Sequence, residues 1–239
     1  EGYAEAMELN CWTSTEFVRG AYDEKAECWT VQLRRADGST RNLRPRHVVF
    51  AIGASPIAAK PTLPGLDSFA GTVMHSESYV TGTPWQGKKA LVLGTGTSGH
   101  DVAQDLIAAG AQVTLLQRSP TYVISLKEAQ RVYMIYTQGL PVEDCDLIGT
   151  SYPYRALLRA YQVATDETTR ADHKLLDDLA AADFRLDVQP GDYGFQLRYL
   201  ERGGGYYFNV GCSNLIIDGK VKLMQYSDID RFVAAGARM

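Results

Sequence analysis

The sequence has no apolar run approaching the roughly 18 to 20 residues that cross a bilayer, and its first residues lack the basic-then-apolar pattern of a secretory signal. The expectation is a cytoplasmic protein without a membrane span. Cysteine is scarce: Cys11, Cys28, Cys145 and Cys212 stand far apart with no Cys-x-x-Cys pair. That spacing excludes a disulfide framework, a zinc site and a dithiol redox pair, leaving four free thiols and no metal. Positive charge is not in excess either: 24 Lys and Arg against 28 Asp and Glu give a net charge of -4, with the basic residues scattered. Without a basic stripe to neutralise phosphates, nucleic acid is excluded as a partner. Internal repeats and low-complexity tracts are also missing. What remains is a chain of 239 residues, 45% hydrophobic and 22% charged, long enough for one or two real cores.

The opening EGYAEAMELN reads as the tail of a helix, and Glu1 is not an initiator Met, so the chain reads as cut from something longer. Three β-like runs follow at Thr15 to Arg19, Trp29 to Arg35 and Thr40 to Leu43, the last two separated by an Ala36 to Gly38 turn, which predicts a small antiparallel meander. HVVFAIGAS, ending past Gly53, is a continuous apolar run expected to form a buried parallel strand. Prolines and glycines from Pro56 to Gly87 then prevent regular structure. KKALVLG predicts a strand, Thr97 to Ala109 a helix and AQVTLLQ a second strand, together a βαβ unit. From about Ser125 to Leu186 the pattern is helical, broken near Gly139 to Pro141 and Ser151 to Pro153. A loop at Gly203 to Gly205 and a strand in GKVKLMQY complete an α/β chain with a helical insertion.

The strongest motif is Gly94-Thr-Gly96-Thr-Ser-Gly99, placed between the first strand and the helix of the βαβ unit. Gly94 permits the tight turn, Gly96 lets backbone approach a pyrophosphate, and Gly99 lets helix and strand pack closely. The amides of Thr97 and Ser98 at the helix start face the phosphate charge. At the end of the second strand an NAD site presents Asp or Glu to the ribose hydroxyls, whereas this chain has Gln117-Arg118-Ser119. Arg118 can pair with a 2'-phosphate and Ser119 can add a hydroxyl, so NADP(H) is the expected nucleotide. Asp101 and Asp105 share a face of the helix and are expected to be solvated or to make cap contacts rather than to serve as acid and base. The dense tyrosines, among them Tyr206 and Tyr207, are expected in cores and interfaces, not in a substrate cage.

Just before the glycine motif, FAGTVMHSESY places Phe69, Gly71, His75 and Tyr79 at fixed intervals. This pattern resembles the identifying motif of flavin-containing monooxygenases and type I Baeyer-Villiger monooxygenases, the class B flavoprotein monooxygenases. FAIGAS, with Ala51 and Gly53, is similar to that family's linker strand, although Ile52 replaces its usual Thr, and PTLPGLDSF is similar to its Pro-rich connector. The resemblance is specific between Val48 and Ser119 and weak in the helical insertion.

The resemblance implies the later part of a Rossmann-like FAD-binding domain with its meander at residues 1–60, and a connector at 61–87. It further implies a Rossmann-type NADP-binding domain with helical insertion at 88–224, and a return toward the FAD domain at 225–239. In the family an earlier Gly-x-Gly-x-x-Gly seats the FAD pyrophosphate; this chain has none, so its FAD site reads as incomplete. The implied chemistry is reduction of FAD by NADPH, followed by oxygenation of an amine, sulfide or ketone by a peroxyflavin, with molecular oxygen and a small molecule as partners. Ala51 and Gly53 would approach the flavin or line a hinge, and His75 would organise the closed site, or hold the loop by hydrogen bonds alone. No catalytic acid, base or nucleophile can be assigned. Tyr79, where Baeyer-Villiger enzymes more often carry Trp, favours heteroatom oxygenation. Two alternatives stay open: a non-catalytic NADP-binding module, and an inactive piece. A disulfide-reductase relative is disfavoured by the missing dithiol.

Overall fold

The computed structural model describes residues 2–53 and 57–239, and the chain divides into two compact units, Glu1–Pro56 and Ile57–Met239. In the first, a short helix α1 (Gly2–Ala6) precedes β1 (Thr15–Asp23), β2 (Cys28–Arg35) and β3 (Thr40–Leu43), which form the expected antiparallel meander in that order. The Asp23 carboxylate accepts from the amides of Lys25 and Ala26 and shapes the first turn. In the second, Gly38 takes a positive φ of 82° and the Asp37 carboxylate accepts from the Ser39 amide. A bulge between Phe17 and Arg19 shifts the register of β1 on β2.

The apolar run after β3 departs from its sequence reading. Residues 47–53 form no strand; Val49 is 86% exposed, Phe50 57% and Ile52 63%. A strand apolar on both faces needs hydrogen-bonded neighbours and a layer on each face, and the sheet described in this unit is an antiparallel meander. Phe50 makes an edge-to-face contact with Phe17 at 5.3 Å instead. Ala54 and Ser55, at the end of the same run, lie outside the described residues.

The second unit begins with an irregular connector carrying single 3-10 turns at Leu66–Ser68, Ser76–Ser78 and Thr83–Trp85. The βαβ unit follows as β4 (Lys89–Leu93), α2 (Thr97–Ala108) and β5 (Gln112–Gln117). Next come β6 (Tyr122–Ser125) and the helical insertion: α3 (Leu126–Ala129), a 3-10 stretch at Gln130–Thr137, α4 (Val142–Thr150), α5 (Tyr154–Ala171) and α6 (His173–Ala181). Then α7 (Gly194–Arg202), β7 (Tyr206–Asn209), α8 (Cys212–Ile217), β8 (Lys222–Gln225) and a hairpin of β9 (Arg231–Val233) and β10 (Gly236–Arg238) complete the chain. Pro141 and Pro153 stand at the N-caps of α4 and α5, where a missing N–H costs nothing.

The parallel sheet has the order β4-β5-β8, with Leu93 opposite Leu116 and Gln117 opposite Gln225. A second parallel pair, β6 with β7, was not legible as strands in the sequence. Helix α2 buries His100, Ala103 and Leu106 at three-residue intervals against Val113, Leu115, Tyr207 and Ile216. It ends in a Schellman arrangement: Gly110 at φ 87° donates to the Ile107 carbonyl, and Ala111 donates to that of Leu106. The hairpin returns to the connector, the Phe232 amide donating to Pro64 and the Ala70 amide to the Ala234 carbonyl. Gly65 is required there, because a Cβ would collide with the Phe232 carbonyl oxygen.

A buried cation ties α7 to β6 and to the segment that follows the helical insertion. Arg198, its side chain 8% exposed, forms a two-pronged pair with Asp192 at 2.7 Å and a second pair with Asp187, and lies 4.8 Å over the Tyr122 ring. Two carboxylates satisfy one guanidinium, and the Asp192 carboxyl, beside Arg198, is held below the usual carboxylate range despite its burial. Removing the cation leaves both carboxylates unpaired, so Arg198→Ala should lower the unfolding free energy by about 3 to 5 kcal/mol in urea denaturation. His100 supplies a second test. Burial lowers its pKa from 6.5 to about 4, so between those values the unfolded chain takes up a proton that the folded chain refuses. Its contribution is complete above pH 6.5 and lost as pH falls to about 4, a difference of about 3 kcal/mol. The wild type should therefore lose stability over that window relative to His100→Phe, measured by denaturation at each pH.

Candidate functional site: a glycine loop on helix α2

The parallel register of β4 and β5 brings the glycine loop and the end of β5 side by side. The Gly94 amide donates to the Leu116 carbonyl at 2.9 Å, and the buried hydroxyls of Thr95 and Thr121 bond at 2.6 Å, so the loop is fixed to the chain that follows β5. Each glycine of the motif has a distinct reason. Gly94 has φ 111°, a backbone state that residues with a Cβ rarely adopt. A Cβ at Gly96 would meet no atom within 4 Å, so the loop faces open space there. At Gly99 a Cβ would collide with the Gly94 carbonyl oxygen, so the third glycine is what permits α2 to lie on the loop.

Helix α2 starts at Thr97 with Gly96 as its cap and no side chain closing its first turn. Helix-start amides without a side-chain cap, beside an open glycine loop, fit a dinucleotide pyrophosphate. Thr97 and Ser98 are exposed at this end; the Thr97 hydroxyl reaches the Tyr206 carbonyl at a long 3.4 Å. Arg118 and Ser119 are exposed immediately beyond β5, and Arg118 makes no ion pair among the described residues. Gln117 turns inward instead: its amide exchanges hydrogen bonds with the Arg185 backbone and accepts from Gln225. The strand end is thereby pinned while Arg118 stays available to a phosphate. Gly94, Gly96, Thr97, Ser98, Gly99, Arg118 and Ser119 thus lie together at one end of the sheet.

The connector is latched onto the far end of the same helix. The Asp105 carboxylate accepts from the Tyr79 hydroxyl at 2.7 Å and from the Gly82 amide at 2.6 Å. Gly82 lies so close to the last turn of α2 that a Cβ would press on the Ala109 methyl and the Asp105 carbonyl. Burial and the Asp105 carboxylate together raise the pKa of the Tyr79 hydroxyl, keeping it a donor. His75 is half-buried and caps the 3-10 turn at Ser76–Ser78, its Nδ1 accepting from the Glu77 amide at 3.2 Å. Phe69 folds its ring over Gly71, where a Cβ would strike it, which accounts for the Phe-x-Gly spacing.

Ala51 and Gly53 are exposed residues of the first unit, Gly53 at φ 76°. The other candidates all lie in the second. Among the described residues no group of His, Cys, Asp and Glu is arranged to hold a metal, all four cysteines are free, and no helix is long and apolar enough to cross a membrane. Sequence reasoning missed the acceptor role of Asp105, the inward turn of Gln117 and the burial of His100. The spacing did hold a signal for His100, four residues after Gly96 on a helix, where a side chain can bond back to the carbonyl of i-4.

A family model described as flavin-binding monooxygenase-like matches residues 47–141. A probable indole-3-pyruvate monooxygenase of Arabidopsis thaliana, YUCCA10, is 29% identical over 152 residues, 63% of this chain and 39% of that protein. The indole-3-pyruvate monooxygenase YUCCA1 of Oryza sativa subsp. japonica is 34% identical over 124 residues, 52% of this chain and 30% of its own. The chain thus spans roughly a third of these relatives' length. A closed crystal structure of cyclohexanone monooxygenase shares the fold at a TM-score of 0.61, with 17% identity, over 99% of this chain and 51% of that one. The segment that holds the connector motif and the glycine loop is thus similar to the flavin-binding monooxygenase-like family.

Proposed function

We propose that this chain is the NADP(H)-binding part of an NADPH- and FAD-dependent monooxygenase that oxygenates a small molecule with molecular oxygen in the cytoplasm. The observation that carries the reading is the glycine loop, open at Gly94 and Gly96, with an exposed Arg118 beyond the adjacent strand. The α2 amides and Gly96 would receive the pyrophosphate, Arg118 and Ser119 the 2'-phosphate. When bound, the nicotinamide supplies a hydride. The glycine loop, Arg118 and Ser119 would bind and orient that cofactor. The Asp105 latch would hold the connector, and with it His75, against the nucleotide helix.

The flavin half of the proposal is supported by the family match over residues 47–141, by Ala51 and Gly53, and by a solved structure described as a complex with FAD and NADP, to which the chain is 17% identical over 52% of that structure's length with a TM-score of 0.62. Residues 2–53 contain no glycine loop leading into a helix. The substrate class is an amine, sulfide or ketone, with Tyr79 favouring the heteroatom.

Calorimetric titration of the chain with NADPH and NADH, with FAD absorbance followed in parallel, tests the proposal. Tighter binding of NADPH is expected. Arg118→Ala should weaken NADPH by about tenfold or more while sparing NADH, since it removes a charge-assisted pair. Equal affinity for the two nucleotides would refute the 2'-phosphate assignment. NADPH binding without FAD would leave a nucleotide-binding module as the description of this chain.

A further inference from the structure

The glycine loop is backed by a side chain that is neither solvent-facing nor apolar. His100 has no exposed surface, and its ring stacks on Tyr207 with centroids 3.8 Å apart and planes 4° from parallel. Nδ1 lies 3.1 Å from the Gly96 carbonyl oxygen, which also accepts from the His100 backbone amide at 3.1 Å. A carbonyl oxygen can only accept, so Nδ1 carries the proton and the ring is the Nδ1–H tautomer. Nε2 is then a bare lone pair, and it is buried without a hydrogen-bond partner among the described residues. An unpaired buried acceptor is costly, and a phenylalanine would preserve the stack without it. What the histidine adds over phenylalanine is the Nδ1–H at Gly96.

We infer that His100 is a positioning residue for dinucleotide binding: its Nδ1–H, with the backbone amide, holds the Gly96 carbonyl so that the Thr97 N–H of the same rigid peptide is aimed out of the helix start at the phosphate. The carbonyl of residue 96 and the amide of residue 97 belong to one planar unit and point in opposite directions. Fixing one fixes the other. Two donors on the carbonyl also polarise the peptide and strengthen the amide as a donor. The stack extends the support, because the Tyr207 hydroxyl accepts from the amides of Val210 and Cys212 and so ties His100 to the start of α8. The inference rests on the glycine loop being a dinucleotide cradle.

The first test needs no substitution. Nitrogen-detected imidazole spectra of the labelled full chain at neutral pH should show His100 as the neutral Nδ1–H tautomer, and an Nε2–H tautomer or an imidazolium would overturn the inference. The second compares NADPH and NADH affinities by calorimetry. The amide of Asn reaches the position of Nδ1, that of Gln the position of Nε2. His100→Phe and His100→Gln should weaken both nucleotides by about fivefold to tenfold with their ratio unchanged, and His100→Asn should stay within about twofold of wild type. A folded His100→Phe variant, with wild-type circular dichroism, that binds NADPH as tightly as wild type overturns the inference alone. A wild-type chain that binds neither nucleotide removes the cradle and the inference together.

Discussion

Residue 99 has no room for a side chain, because the Gly94 carbonyl occupies the place where its Cβ would stand. That single close approach sets helix α2 directly on the loop that leaves β4. The helix start is thereby brought to the open face of the loop, and the buried side of α2 is registered on Val113, Leu115 and Tyr207. A larger residue would lever the helix outward along its whole length, moving its uncapped first turn away from the loop and its last turn away from the connector.

Much of this was legible because glycine, charge and periodicity carry local rules. The βαβ unit follows from an apolar run, a glycine loop and a 3.6-residue repeat, and the breaks at Pro141 and Pro153 fall where the chain loses a donor. The meander follows from alternation and an Asp-Gly turn. The apolar run at residues 47–53 marks the limit: its composition is that of a buried strand, but a strand requires partners that composition cannot supply. β6 and β7 were missed for the opposite reason. Tyr122 to Ser125 and Tyr206 to Asn209 have partners, but those partners are each other, a long-range pairing that no local period announces.

Polar groups were the least legible. Asp101 and Asp105 are equivalent by spacing, yet only Asp105 meets the Tyr79 hydroxyl and the Gly82 amide, a long-range pairing that no helix period encodes. Gln117 and Arg118 are neighbours at a strand end: Gln117, the last residue of β5, bonds inward to Arg185 and Gln225, while Arg118, just past the strand, is exposed. The candidate site is therefore half local motif and half tertiary bonding. The motif names the ligand class, and the bonding decides which side chains remain available to it.

The pairing of Phe232 with Pro64, and of Ala70 with Ala234, joins the two ends of the second unit. Contacts between residues so distant in sequence are slow to form, because the closure entropy of the intervening chain is lost before they give any return. During synthesis the βαβ unit and the helical insertion emerge first and can assemble from near neighbours, while the segment around Gly65 waits for a strand not yet translated. The part of the connector around Gly65 is then among the last of this unit to be fixed, while its later part, from Tyr79 to Gly82, can already be held on Asp105 before the hairpin arrives.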